Sequence, residues 1–111
     1  MDSKRFARGV ELFNAGDFFA AHEELEDVWR EMRGEQRRRL QGLIQVAVAF
    51  HHHSRGNLAG ARSLLERGAR KLDGAGDHLH GIALAPLRAS LRLWQSALAS
   101  GDTPPPYPRL A

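Results

Sequence analysis

At 111 residues the chain is long enough for one hydrophobic core and too short for two. Hydrophobic residues at 42% and charged residues at 26% exclude wholesale disorder, and the absence of cysteine excludes disulfides, thiolate catalysis and thiolate metal sites. A net charge of +3 is too small to argue for a polyanionic partner.

The N-terminal residues MDSKRFARG contain no apolar segment of the secretory type. The longest apolar run, residues 43–50, is interrupted by Gln45 and is far too short for a bilayer. A cytoplasmic protein without a membrane partner is expected. In chain order, Asp2 or Ser3 caps a first helix running to about Ala15, with Phe6, Val10 and Phe13 as its apolar stripe. Gly16 stops it, and Asp17 at once caps a second helix that ends near Arg33. So short a connection makes the two helices antiparallel neighbours.

The third helix is expected over residues 35–53. Its middle, LQGLIQVAVAF, is apolar nearly all round, which marks a helix covered on more than one side. Arg37, Arg38 and Arg39 at its start point in three directions and read as a solvated helix end, so nucleic acid is not an expected partner. Arg55, Gly56 and Asn57 give a stop and a new cap, and Leu58–Leu72 carries an apolar face of Ala61, Leu64, Leu65, Ala69 and Leu72. This stretch resembles half of a tetratricopeptide unit, but no second copy follows, so a repeat array is not supported. Residues 73–81 are a glycine-rich connection. A fifth helix begins at Pro86, with Leu87, Leu91, Trp94 and Leu98 at helical spacing to about Ser100. The residues after Gly101 cannot continue a helix and predict an extended, polyproline-like tail.

The expected fold is therefore all-α, a five-helix antiparallel bundle with a central apolar helix over residues 1–101 and a Pro-rich tail over 102–111. Its chemistry centres on DFFAAHEELEDVW. At about 100° per residue, Phe18, His22, Leu25, Glu26, Trp29 and Met32 share one face, so His22 and Glu26 sit one turn apart inside an apolar stripe. Matching levels across short connections brings Glu11 and Asn14 from the first helix, and Gln41, Gln45 and His51 or His52 from the third, toward the same region.

Two readings compete for this cluster. In the first, a divalent metal is held by His22, Glu26 and a second histidine such as His52, with imidazole and carboxylate spaced as two ligands on one helix must be. The two-histidine zincin spelling and the paired Glu-x-x-His of di-iron bundles are both missing. In the second, a structural network, His22 and Glu26 bond to each other, Gln45 satisfies the rest, and the Trp29 indole N–H donates to Glu26. The residues favour the network, which predicts that Glu26→Ala costs a few kcal/mol, on the order of losing one member of a buried polar pair. No nucleophile elbow, phosphate loop or dinucleotide fingerprint accompanies the pair, so an enzyme is not the leading reading. The rival from another class is a tetratricopeptide-like interaction module using the surface of the third and fourth helices, with a protein partner or a second copy.

The strings ELFNAGDFFAAHEELEDVWR and RLQGLIQVAVAFHHHSRGNLAGARSLLERG resemble the domain-of-unknown-function family 309 over residues 11–72. The family's phenylalanine pair, His-Glu, following Glu and Trp fall on Phe18, Phe19, His22, Glu23, Glu26 and Trp29. Its Gln-Gly and second Gln fall on Gln41, Gly42 and Gln45, and its His-His and Gly-Asn on His51, His52, Gly56 and Asn57. A later Gly-Ile matches Gly81 and Ile82, but Ala83 stands where an aspartate often follows, which puts any role of that loop in doubt. The resemblance implies an all-helical bundle and no established activity.

Overall fold

Five helices follow in order in the computed structural model, which describes residues 2–74 and 76–111: α1 Ser3–Asn14, α2 Phe18–Arg30, α3 Gly34–Ser54, α4 Leu58–Leu72 and α5 Leu84–Ser100. Side-chain caps start three of them. Asp2 accepts from the Arg5 amide, Asp17 from Ala20 and Asn57 from Gly60, each satisfying an N–H that the first turn leaves without a helical partner. α2 stops three residues before the expected Arg33. The Glu31 and Met32 amides fold back onto the Val28 and Trp29 carbonyls, and Arg33 is already extended as the lead into α3. α5 starts two residues before Pro86, which sits within the first turn. A missing N–H costs nothing there, because that N–H would have no helical partner.

The all-α expectation needs one correction. Residues 78–83, expected as irregular connection, form a minimal antiparallel hairpin of His78–Leu79 and Ile82–Ala83. Its two-residue turn has positive φ at both His80 (45°) and Gly81 (85°), the left-handed pair that matches the twist of a hairpin. Buried Leu79 and Ile82 pair with each other, and the hairpin delivers the chain directly into α5. Among the described residues no helix is long and apolar enough to cross a membrane.

α3 is packed by α2 and by α4, while α1 covers α2 and α5 covers α4. That position explains why its middle is apolar nearly all round: Leu40, Leu43, Val46, Ala47, Ala49 and Phe50 are all buried. α3 and α4 approach closely where Gly42 faces Gly68, because neither has a side chain to hold the backbones apart. Phe50 centres an aromatic cluster in edge or tilted contact with Phe13, Phe18, Trp94 and Tyr107.

Tyr107 belongs to the Pro-rich segment, which lies along the bundle. Its ring stacks on Trp94 at 5.1 Å, and the Trp94 indole N–H donates to the Pro106 carbonyl. Beyond it the Asn14 amide brackets Leu110, donating to its carbonyl (3.0 Å) and accepting from its N–H (2.7 Å), while the Leu110 side chain is buried. Asn14→Ala removes the partners of both backbone groups of Leu110 at once. It should lower stability by about 1–3 kcal/mol, the cost of leaving part-buried backbone groups unpaired, and limited proteolysis should then cut residues 102–111 faster than in the parent chain. An unchanged cleavage rate contradicts the role given to Asn14.

Candidate functional site

Asp17 caps α2, and the row of apolar residues that starts at Phe18 sets its rotation. Phe18, Ala21, Leu25 and Val28 point inward and are at most 3% exposed. His22, Glu26 and Trp29 form the next row round, so they line the rim of the core and not its interior. Burial of the His22–Glu26 pair is therefore corrected: the side chains are 19% and 41% exposed, and no polar or charged residue among the described residues is buried. An exposed carboxylate exchanges water freely, so the few-kcal/mol cost expected for Glu26→Ala falls to the roughly 0–1 kcal/mol of surface pairs.

From this row, together with Gln41, Ile44, Gln45 and Val48 of α3, the chain builds an open groove of about 300 Å³. Ile44, Val48 and the Trp29 ring supply apolar surface, and the two glutamines supply amides. The His22 ring is oriented by its own helix. Its Nδ1 lies 2.7 Å from the Phe19 carbonyl, which can only accept, so Nδ1 carries a proton. Nε2 then faces Glu26 Oε2 at 3.4 Å. In the neutral ring these are two lone-pair atoms turned toward each other, an arrangement that calls for a proton or a cation between them. Glu26 is also 3.7 Å from Arg30, which pairs in turn with Asp27.

Gln41, Gln45 and Trp29 share the groove with the pair, but the expected hydrogen bonds to it are not made. Gln45 bonds not to the pair but to Lys71 of α4, whose amine donates to Oε1 at 2.9 Å. The Trp29 indole N–H is buried without a hydrogen-bond partner and does not reach Glu26, while the Arg37 guanidinium lies 3.8 Å over the indole ring. Asn14 is engaged with Leu110, and Glu11 is exposed beside Arg109 in a separate cleft. The His51 ring packs on Phe19, which also touches His22 and is 50% exposed.

His52 is committed elsewhere. Asn57 Oδ1 caps α4 through the Gly60 amide, which turns its NH₂ toward His52 Nδ1 at 3.2 Å and makes that nitrogen an acceptor. The neutral ring therefore keeps its proton on Nε2, so neither ring nitrogen presents a free lone pair to a metal. Among the described residues no three His, Asp or Glu side chains converge to hold a metal ion, so the His22, Glu26, His52 set expected from spacing is not assembled. Lys71 and the apolar strip of Ile44 are the groove neighbours that periodicity along α2 could not reveal, since they depend on how α3 and α4 rotate.

The fold and groove together define a small, mostly helical protein with one half-open polar rim between α2 and α3. Residues 6–64 match the family described as Domain of unknown function (DUF309), and the chain belongs to that family. It is 36% identical over 99 residues to the uncharacterized protein YpuF of Bacillus subtilis (strain 168), covering 88% of this chain and 56% of that protein. It is 34% identical over 80 residues to an uncharacterized protein of Aquifex aeolicus (strain VF5), covering 71% of this chain and 24% of that protein. The matched region thus spans just over half of one curated relative and about a quarter of the other.

Proposed function

We propose that the α2–α3 groove is a small-ligand pocket whose His22–Glu26 pair holds a divalent cation at its mouth. The observation that supports this reading is the His22 ring itself. Its Nδ1–H is spent on the Phe19 carbonyl, and its Nε2 is turned to Glu26 Oε2 at 3.4 Å on the rim of the groove. Holding one ring nitrogen by a backbone carbonyl is how ligating histidines are commonly oriented. Two protein ligands leave the remaining positions of a four- or six-coordinate ion to water and to the bound molecule. The Trp29, Ile44 and Val48 surface suits an apolar body, and Gln41 suits a hydrogen-bonding head group.

Calorimetric titration of tag-free protein with Co²⁺ and Zn²⁺ tests this. One ion per chain is expected, bound at least about tenfold more weakly by His22→Ala and by Glu26→Gln, the scale of losing one ligand or its orienting group. Replacing His51 and His53 together by glutamine should leave the affinity unchanged. No binding by the parent chain, or binding insensitive to His22→Ala, overturns the proposal.

A further inference from the structure

Charge is divided very unevenly along this chain. Residues 1–31 hold four lysines and arginines against eight carboxylates, whereas residues 33–92 hold eleven against four. The acids of the first part are largely answered from within: Arg5 and Arg8 reach Glu24, Arg5 also reaches Asp27, and Arg30 lies beside Glu26 and Asp27. The cations of α3 and α4 are for the most part not answered by carboxylates. Among the described residues only Arg70 of that group has a carboxylate partner, Glu66 at 2.8 Å.

The fold gathers part of this excess in one place. Arg37, Arg38 and Arg39 diverge as consecutive helical residues must, with Arg37 lying over Trp29. Arg38 is exposed on the side of α3 that meets α4, where Gly42 comes within contact distance of the Lys71 Cβ position. There it joins exposed Arg67 and Arg70, and half-buried Lys71 is held below its ordinary pKa by burial and then by Arg38, Arg67 and Arg70. Among the described residues Glu66 is the single carboxylate paired with this group, so the remaining like charges repel, and an external anion relieves that repulsion.

We propose that this seam, Arg38 on α3 with Arg67, Arg70 and Lys71 on α4, binds the phosphate backbone of double-stranded nucleic acid without sequence preference. Three of the four cations are arginine, whose planar fork suits phosphate oxygens. The exposed large hydrophobic residues, Phe19, Leu58, Leu93 and Tyr107, all lie outside this set. A protein partner's site would carry an apolar centre and a membrane-inserting site apolar anchors, while phosphate contacts are polar and wet.

Fluorescence anisotropy of the full chain with a mixed-sequence 20-base-pair DNA duplex is the test, read against salt. Four phosphate contacts predict that log K falls with log salt at a slope of about −3.6, and removing two of them should bring it to about −1.8. Arg38→Glu with Arg67→Glu should weaken binding by on the order of tenfold or more at low salt. Arg55→Glu, at the other end of α3, should leave it unchanged. Affinity that is independent of sequence supports the assignment. The assignment is overturned by no binding at low salt, by an equal loss in Arg55→Glu, or by equal or tighter binding of polyglutamate or anionic vesicles.

Discussion

Gly68→Ala should lower the melting temperature by up to about 10 °C, and the sign of the effect is the informative part. On helix propensity alone the substitution should stabilise, since glycine inside a helix costs roughly 0.8–1 kcal/mol relative to alanine. Packing opposes it. A Cβ at residue 68 would lie 2.7 Å from the Gly42 carbonyl oxygen, 2.9 Å from Val46 Cγ2 and 3.1 Å from the Val46 amide nitrogen. Two of those atoms are backbone of the central helix and cannot rotate away. Overpacking of this kind costs about 1–3 kcal/mol or more, which for a domain of this size corresponds to several degrees per kcal/mol. Because α3 also carries the groove, forcing α4 outward should loosen the Gln45–Lys71 contact as well. Thermal and urea unfolding monitored by far-UV circular dichroism would measure the change. A variant as stable as the parent would mean that α3 and α4 do not cross at these glycines.

Phe50→Ala should be the most destabilising single truncation, at about 3–5 kcal/mol, the range for removing a buried aromatic ring. The ring is 1% exposed and meets Phe13 of α1, Phe18 of α2, Trp94 of α5 and Tyr107 of the tail. It therefore ties four separate segments to α3, and the void left behind cannot be closed by moving one of them. With total stabilities of about 5–15 kcal/mol usual for domains, such a loss is a large share of the whole and should lower the melting temperature by roughly 15–30 °C. Denaturant unfolding gives the magnitude. Near-ultraviolet circular dichroism and a red shift of Trp94 emission, read in a Trp29→Phe background, report whether the cluster itself has opened. A loss below about 1 kcal/mol, less than even mild core truncations usually cost, would show that the cluster does not hold these segments together.

Much of the fold was legible because local rules and tertiary packing agree along most of the chain. Asp17 and Asn57 are caps in the sequence and in the structure, and α4 runs over the same residues in both. The hairpin at residues 78–83 was missed because its turn is His-Gly and not the Asn-Gly that usually marks one, and because strands of two residues show no alternation. Periodicity places the rotation of α2 one row away from where the structure has it. His22 and Glu26 fall within reach of the apolar stripe, but the stripe that turns inward runs through Phe18, Ala21, Leu25 and Val28, which sets the pair on the rim. Hydrophobic periodicity locates a face to within roughly one residue's rotation, and that margin separates a buried pair from a half-exposed one.

Sequence alone determined the helices, their order, the covered central helix, the family likeness and the adjacency of His22 with Glu26, because each depends on residues close together in the chain. Only the tertiary structure decided which side of His22 carries its proton, that His52 serves the cap of α4, that Asn14 holds the tail, and that Gly42 of α3 packs against Lys71 of α4. Those outcomes turn on distances between segments, which are set by where two glycines let helices touch and by what Phe50 leaves room for, and no local propensity carries that information.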